Sequence, residues 1–175
     1  MRHTPFTRLL PLLLAALLAF TGCGNDSNGS SSDADLSAIH REVKALYGEE
    51  YYPSLAIDND TLSRKYGLTR EKMDEVIAEE AALSEHPDTF IAVKAKKGEA
   101  DALEEELAAY RDKAAREYPD SPKAQVAQVV RVGDYLFYLA LGPEPAEGAS
   151  PTAALESARE EIAKGVDAVT ARLKR

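Results

Sequence analysis

The 175-residue chain carries 21 Lys and Arg against 30 Asp and Glu, a formal net charge of −9, with 45% apolar residues, three His and a single Cys. That apolar fraction is too high for a disordered acidic tail, and one cysteine cannot build an internal disulfide framework or a Cys-rich metal site. A pI near 4.9 argues against nucleic acid, whose phosphates need a clustered surplus of cations, and the length suits one domain.

The N-terminus reads as an address. Arg2 and Arg8 precede an apolar run from Leu9 to Phe20, too short for the roughly 20 residues of a spanning helix. The run closes on Ala19-Phe20-Thr21-Gly22-Cys23, small residues directly before the only cysteine. This resembles a bacterial lipoprotein signal with its lipobox, Phe20 standing where that pattern prefers Leu. The resemblance implies a cleaved signal peptide over residues 1–22. It also implies a Cys23 thioether-linked to diacylglycerol, acylated, and held at the extracytoplasmic face of the cell membrane. Two acyl chains on one residue satisfy the two-signal condition for stable anchoring. Residues 23–34 are then the lipidated cysteine and a polar tether. Its nine residues Gly24 to Ser32 reach about 30 Å when extended and near 17 Å as a flexible coil. From Cys23 onward 19 cations face 30 acids, a net charge of −11. Such a body resists anionic headgroups, so the acyl anchor does the holding.

A first helix is predicted over Asp35–Tyr47, where Leu36, Ile39, Val43 and Leu46 recur at helical spacing before Gly48. Tyr51-Tyr52-Pro53 then forces an extended or turning stretch, followed by a helical turn near Asp60–Tyr66. Val76–Leu83 and Thr89–Lys96 read as paired strands split by a polar segment with Pro87. Glu99–Glu117 is the clearest long helix, striped by Ala100, Leu103, Leu107, Tyr110 and Ala114. Val126–Val132 and Tyr135–Leu141 form a hairpin around Gly133-Asp134. The second of these strands is apolar throughout and so reads as central, covered on both faces. After a Pro/Gly/Glu loop, Ser150 and Pro151 open a last helix with Leu155, Ala158, Ile162, Val166 and Val169 on its stripe. The fold class is α+β: an antiparallel sheet of about four strands with helices packed on one face, in helix–β–β–helix–β–β–helix order. Residues 35–141 form the domain, and residues 142–175 a loop and a C-terminal helix packed on it.

The stretch from Asp88 to Lys96, the charged helix with Arg111, Tyr118-Pro119 and the Gly133-Asp134-Tyr135 hairpin resemble an uncharacterised family. Its members are small cell-envelope lipoproteins of Gram-positive bacteria built on a domain of unknown function. The resemblance covers roughly Asp35 to Leu141. It implies an envelope location and supplies no catalytic residue.

Chemistry-bearing motifs are sparse. Without His3, which falls in the signal, His40 and His86 remain, with no His-x-x-x-His or Cys-x-x-Cys spacing, so neither a metal nor a cofactor is expected. His40 reads as a solvated surface residue and His86 as a loop cap. No Gly-x-Ser-x-Gly, Ser-x-x-Lys or His-Glu-x-x-His is present, so no catalytic residue is assigned. Carboxylate pairs at Glu49-Glu50, Glu79-Glu80 and Glu160-Glu161 read mostly as solvated faces. The tyrosines read either as polar-tipped core aromatics or, at Tyr51 and Tyr52, as a recognition surface, because tyrosine offers large contact area at low entropy cost.

The sequence therefore predicts a non-catalytic, membrane-anchored binding or interaction module. Its partners would be the membrane through Cys23 and a protein or cell-wall component, with no nucleic acid and no metal. The alternative is a cell-wall-active hydrolase using paired carboxylates.

Overall fold

A computed structural model of the chain describes residues 34–83 and 86–174. Cys23, the signal segment and most of the tether lie outside them. The described residues contain α1 (Leu36–Tyr47), β1 (Pro53–Ala56), α2 (Asn59–Arg64), β2 (Met73–Ala81), β3 (Thr89–Ala95), α3 (Ala100–Glu117), α4 (Pro122–Val126), β4 (Gln128–Val132), β5 (Tyr135–Ala140) and α5 (Pro151–Leu173).

The class is α+β, and the strands form one antiparallel sheet in the order β1-β2-β3-β5-β4. Two of the expected details change. The sheet has five strands rather than four, because the stretch after Tyr52 pairs as an edge strand, with Pro53 opposite Ala81. Pro is tolerated there because the first residue of an edge strand owes no hydrogen bond to a neighbour. Helices also cover both faces instead of one. On one face Ile91, Val93, Leu136 and Tyr138 meet Leu103, Leu107 and Tyr110 of α3. On the other, Phe90, Ala92, Phe137 and Leu139 meet Leu36, Ile39 and Val43 of α1 and Ala158, Ile162 and Val169 of α5. Strands β3 and β5 are apolar at both side-chain parities, so each face must be shielded.

Local chemistry sets the boundaries. Asp35 caps α1 by accepting from the Ser37 amide, and Ser150 caps α5 by accepting from the Ala153 amide, with Pro151 next. Val132 pairs with Tyr135 around Gly133, whose φ of 62° gives the two-residue hairpin its handedness.

A tyrosine phenol ties α1 to α5. The Tyr47 hydroxyl donates to the Glu161 carbonyl at 2.8 Å, wedged against the helix where Gly165 leaves room. A Cβ on Gly165 would stand 2.6 Å from that hydroxyl. Gly165→Ala should therefore destabilise by about 1–3 kcal/mol through overpacking, although Ala is the better helix former by ~1 kcal/mol. Adding Tyr47→Phe removes the clash, and the double variant should melt at or above wild type. Thermal melts of the three variants check this, and an undisturbed Gly165→Ala single variant would contradict it.

Candidate functional site

At one end of the sheet, Thr89 of β3 stands beside Glu80 of β2 and Ala140 of β5. Three segments converge there: residues 86–88 before β3, α4, and the chain leaving β5. Their meeting point is Lys123. Ser121 caps α4 and Pro122 opens it, so Lys123 falls on the same helical stripe as Val126 and Ala127 and is carried inward with them, to zero exposure. Its Nζ donates to Asp88 Oδ1 and Oδ2, both at 2.8 Å, and to the Gly142 carbonyl at 3.2 Å. Glu144 Oε1 lies 2.6 Å away. Asp88 is also fully buried, and burial pushes its carboxyl above the usual range even though Lys123 pulls the other way. The Tyr52 ring lies 5.1 Å above the ammonium, a cation–π geometry, and stacks on His86 at 6.1 Å.

No metal-ligand spacing stands in the sequence, yet the fold brings His86, Asp88 and Glu144 together with ligand atoms within 4.8 Å of one another. The Lys123 ammonium already lies against both of these carboxylates, so the cation this trio would attract is supplied by the chain itself. His86 Nδ1 keeps 4.0 Å from Asp88 and 3.9 Å from Glu144, beyond direct bonding.

Three clefts open around this group. One of about 390 Å³ is lined by His86, Glu117, Tyr118, Asp120 and Glu144 among others. A second, of about 300 Å³, runs over Tyr52, Ser54, Ala82, Leu83 and His86. A third of about 110 Å³ lies among Leu55, Glu80, Thr89, Tyr110 and Tyr118. Leu83 and Leu55 are 60% and 49% exposed, which leaves apolar side chains standing at the cleft mouths. Inside the sheet face behind Tyr110, the Tyr138 hydroxyl is buried with no hydrogen-bond partner among the described residues.

The two tyrosines named from sequence part company. Tyr52 is 38% exposed and its hydroxyl donates to Glu50. Tyr51 is 8% exposed, and its hydroxyl donates to Glu79 Oε2 at 3.1 Å. His40 Nε2 completes that group, 3.0 Å from Glu79 and 3.1 Å from the Tyr51 hydroxyl, with its ring stacked on Phe90. His40 is therefore a packed residue and not the solvated one its helix position suggested. Burial and the Glu79 charge push the Tyr51 phenol far above its ordinary value. Only Tyr52 reaches the clefts.

Glu79 and Glu80 do not act as a pair. Strand alternation sends Glu79 to the His40 face and Glu80 to the opposite one, where it accepts from the Tyr66 hydroxyl and pairs with Lys65.

An α+β sheet closed by helices on both faces, with a buried ammonium at one end, is the class these observations define. Residues 47–141 match the family described as a domain of unknown function, DUF4358, and the chain belongs to that family. No curated protein and no solved structure matches the chain. The match spans the five strands with α2, α3 and α4, so Asp88 and Lys123 fall inside it, while Glu144 and α5 fall beyond it.

Lys123→Met leaves a buried carboxylate unpaired, which costs roughly 3–5 kcal/mol. Without the ammonium the neutral form of Asp88 is favoured in the folded state, whereas the unfolded side chain ionises at about 3.9. Stability of the variant should thus be best near pH 4 and be lost as the pH rises toward neutrality. Adding Asp88→Asn should recover most of the loss and flatten that dependence. Denaturant titrations at pH 4 and pH 8 check this, and a Met variant as stable as wild type at pH 8 would overturn it.

Alanine substitution should likewise separate the tyrosines. Tyr51→Ala should cost about 3–5 kcal/mol as a core aromatic. Tyr52→Ala should stay within a few degrees of wild type in melting, the margin expected for a surface change of under about 1 kcal/mol. Equal losses would refute the division.

Proposed function

We propose that the protein is a lipid-anchored, non-catalytic binding module of the Gram-positive cell envelope, held through Cys23 at the extracytoplasmic face of the membrane. The observation that carries the binding reading is the ring of clefts around His86, with Tyr52, Leu55 and Leu83 exposed at its mouths. Recognition surfaces combine such aromatic and apolar anchors with a polar rim. The anchoring half rests on the Leu9–Phe20 run and the Thr21-Gly22-Cys23 junction. No described helix is long and apolar enough to cross a membrane.

The hydrolase alternative draws less support from the geometry. A glycosidase needs one carboxyl kept protonated and a second free to act opposite it. Glu79 and Glu80 diverge, and Asp88 and Glu144 share one ammonium. Glu161 holds Lys164.

Cys23→Ser should release the protein from the membrane fraction with its melting temperature unchanged, since residue 23 precedes the described domain, which begins at residue 34. Fractionation with detection of the protein in the soluble pool checks this. Retention of the Ser variant in membranes would count against the anchor.

A further inference from the structure

We propose that the clefts around His86 receive a cationic segment, Lys or Arg side chains flanked by apolar ones, of a second extracytoplasmic protein. This rests on the binding-module reading above and names the partner chemistry for that same site.

The first observation is a charge imbalance built into the site. Two carboxylates, Asp88 and Glu144, converge on the one ammonium of Lys123. Lys123 is fully buried and Asp88 already takes two of its donors, so Glu144, itself half exposed, retains attraction for a further cation. The largest of these three clefts continues this bias: Glu117, Asp120 and Glu144 line it, and among the described residues no Lys or Arg does. Glu117 has a cation nearby, Lys113, but at 3.7 Å and on the exposed helix surface, where such pairs contribute little.

The second observation is the apolar relief beside those charges. The neighbouring cleft is floored by Ala81 and Ala82 and walled by Tyr52 and Leu83. An apolar side chain seated there would place an adjacent cation beside the half-exposed Glu144.

The third is where the chain enters the domain. The Ala34 amide donates to the Tyr135 hydroxyl at 2.8 Å, beside the β4–β5 turn. That turn is at the far end of the sheet from Thr89 and Ala140, roughly 20 Å away along β3 at the usual rise per residue. The clefts therefore lie at the end of the domain away from residue 34, where the described chain begins. A divalent ion is the competing occupant, but it would have to displace Lys123 from the His86, Asp88 and Glu144 group.

The test uses the soluble Cys23→Ser chain, so its outcome is independent of whether Cys23 is lipidated. Amide NMR spectra are followed during titration with a 12-residue peptide alternating Arg and Leu, with a Glu–Leu peptide of equal length, and with calcium and zinc chloride. The expected result is saturable shifts from the Arg–Leu peptide alone, concentrated at Tyr52, Leu83, His86, Tyr118 and Glu144. Glu117→Gln with Asp120→Asn, both exposed and so neutral for melting, should weaken binding about tenfold, as the loss of two rim charges implies. Shifts spread equally over the Glu104–Glu106 surface of α3 would overturn the proposal. So would an affinity unchanged in the double variant, or shifts at His86 and Glu144 from a metal salt with none from the peptide.

Discussion

Lys123 has no solvent exposure, and its ammonium must be satisfied inside the protein. Stripping water from such an ion costs several kcal/mol, and the attraction of a partner repays this only when geometry and hydrogen bonding are complete. Here the partners come from separate parts of the chain: Asp88 before β3, and the Gly142 carbonyl and Glu144 after β5. A buried pair of this kind is weak evidence for added stability; its charge is met where α4 lies between these two segments, at the end of the sheet carrying the clefts. Tyr52 closes the group from above, and its ring links the buried charge to the exposed surface.

The remainder of the fold follows from sheet strands that are apolar on both sides. α3 covers one face, and α1 with α5 covers the other. The family match ends at residue 141 and starts at the last residue of α1. The helices that shield the second face thus lie almost wholly outside the matched segment. Leu36, Ile39 and Val43 on one side, and Ala158, Ile162 and Val169 on the other, convert a half-bare sheet into a closed three-layer body. The Tyr47 phenol, seated against Gly165, keeps these two helices in register.

Much of this was legible in the residues. The stripe of α3, the Ser150-Pro151 start of α5 and the Gly133-Asp134 hairpin all carry local signals strong enough to place them. The apolar run Tyr135–Leu141 correctly implied a strand covered twice, which is at odds with helices on one face only; the structure resolves that conflict in favour of the strand. β1 was hidden because Tyr52-Pro53 reads as a turn, and β2 begins at Met73, ahead of its visible alternation, because Asp74 and Glu75 interrupt the pattern. Tyr51 and Tyr52 were indistinguishable as neighbours, since in extended backbone one goes in and the other out, and nothing local says which. The site itself was the least visible part. Asp88 and Lys123 are 35 residues apart, and a lone lysine in a five-residue helix gives little reason to expect burial. Its one signal was the stripe it shares with Val126 and Ala127.

One lysine ammonium, that of Lys123, is sealed in the protein and held by Asp88. Proton-detected NMR of protein labelled with ¹⁵N-lysine measures this directly. At neutral pH one lysine side chain should show slowly exchanging ammonium protons, and Asp88→Asn should shift or abolish that signal while leaving the others unmoved. If every lysine ammonium exchanges at the rate of a solvated one, or if the slow signal is indifferent to Asp88, Lys123 is not the sealed ion that organises this end of the sheet.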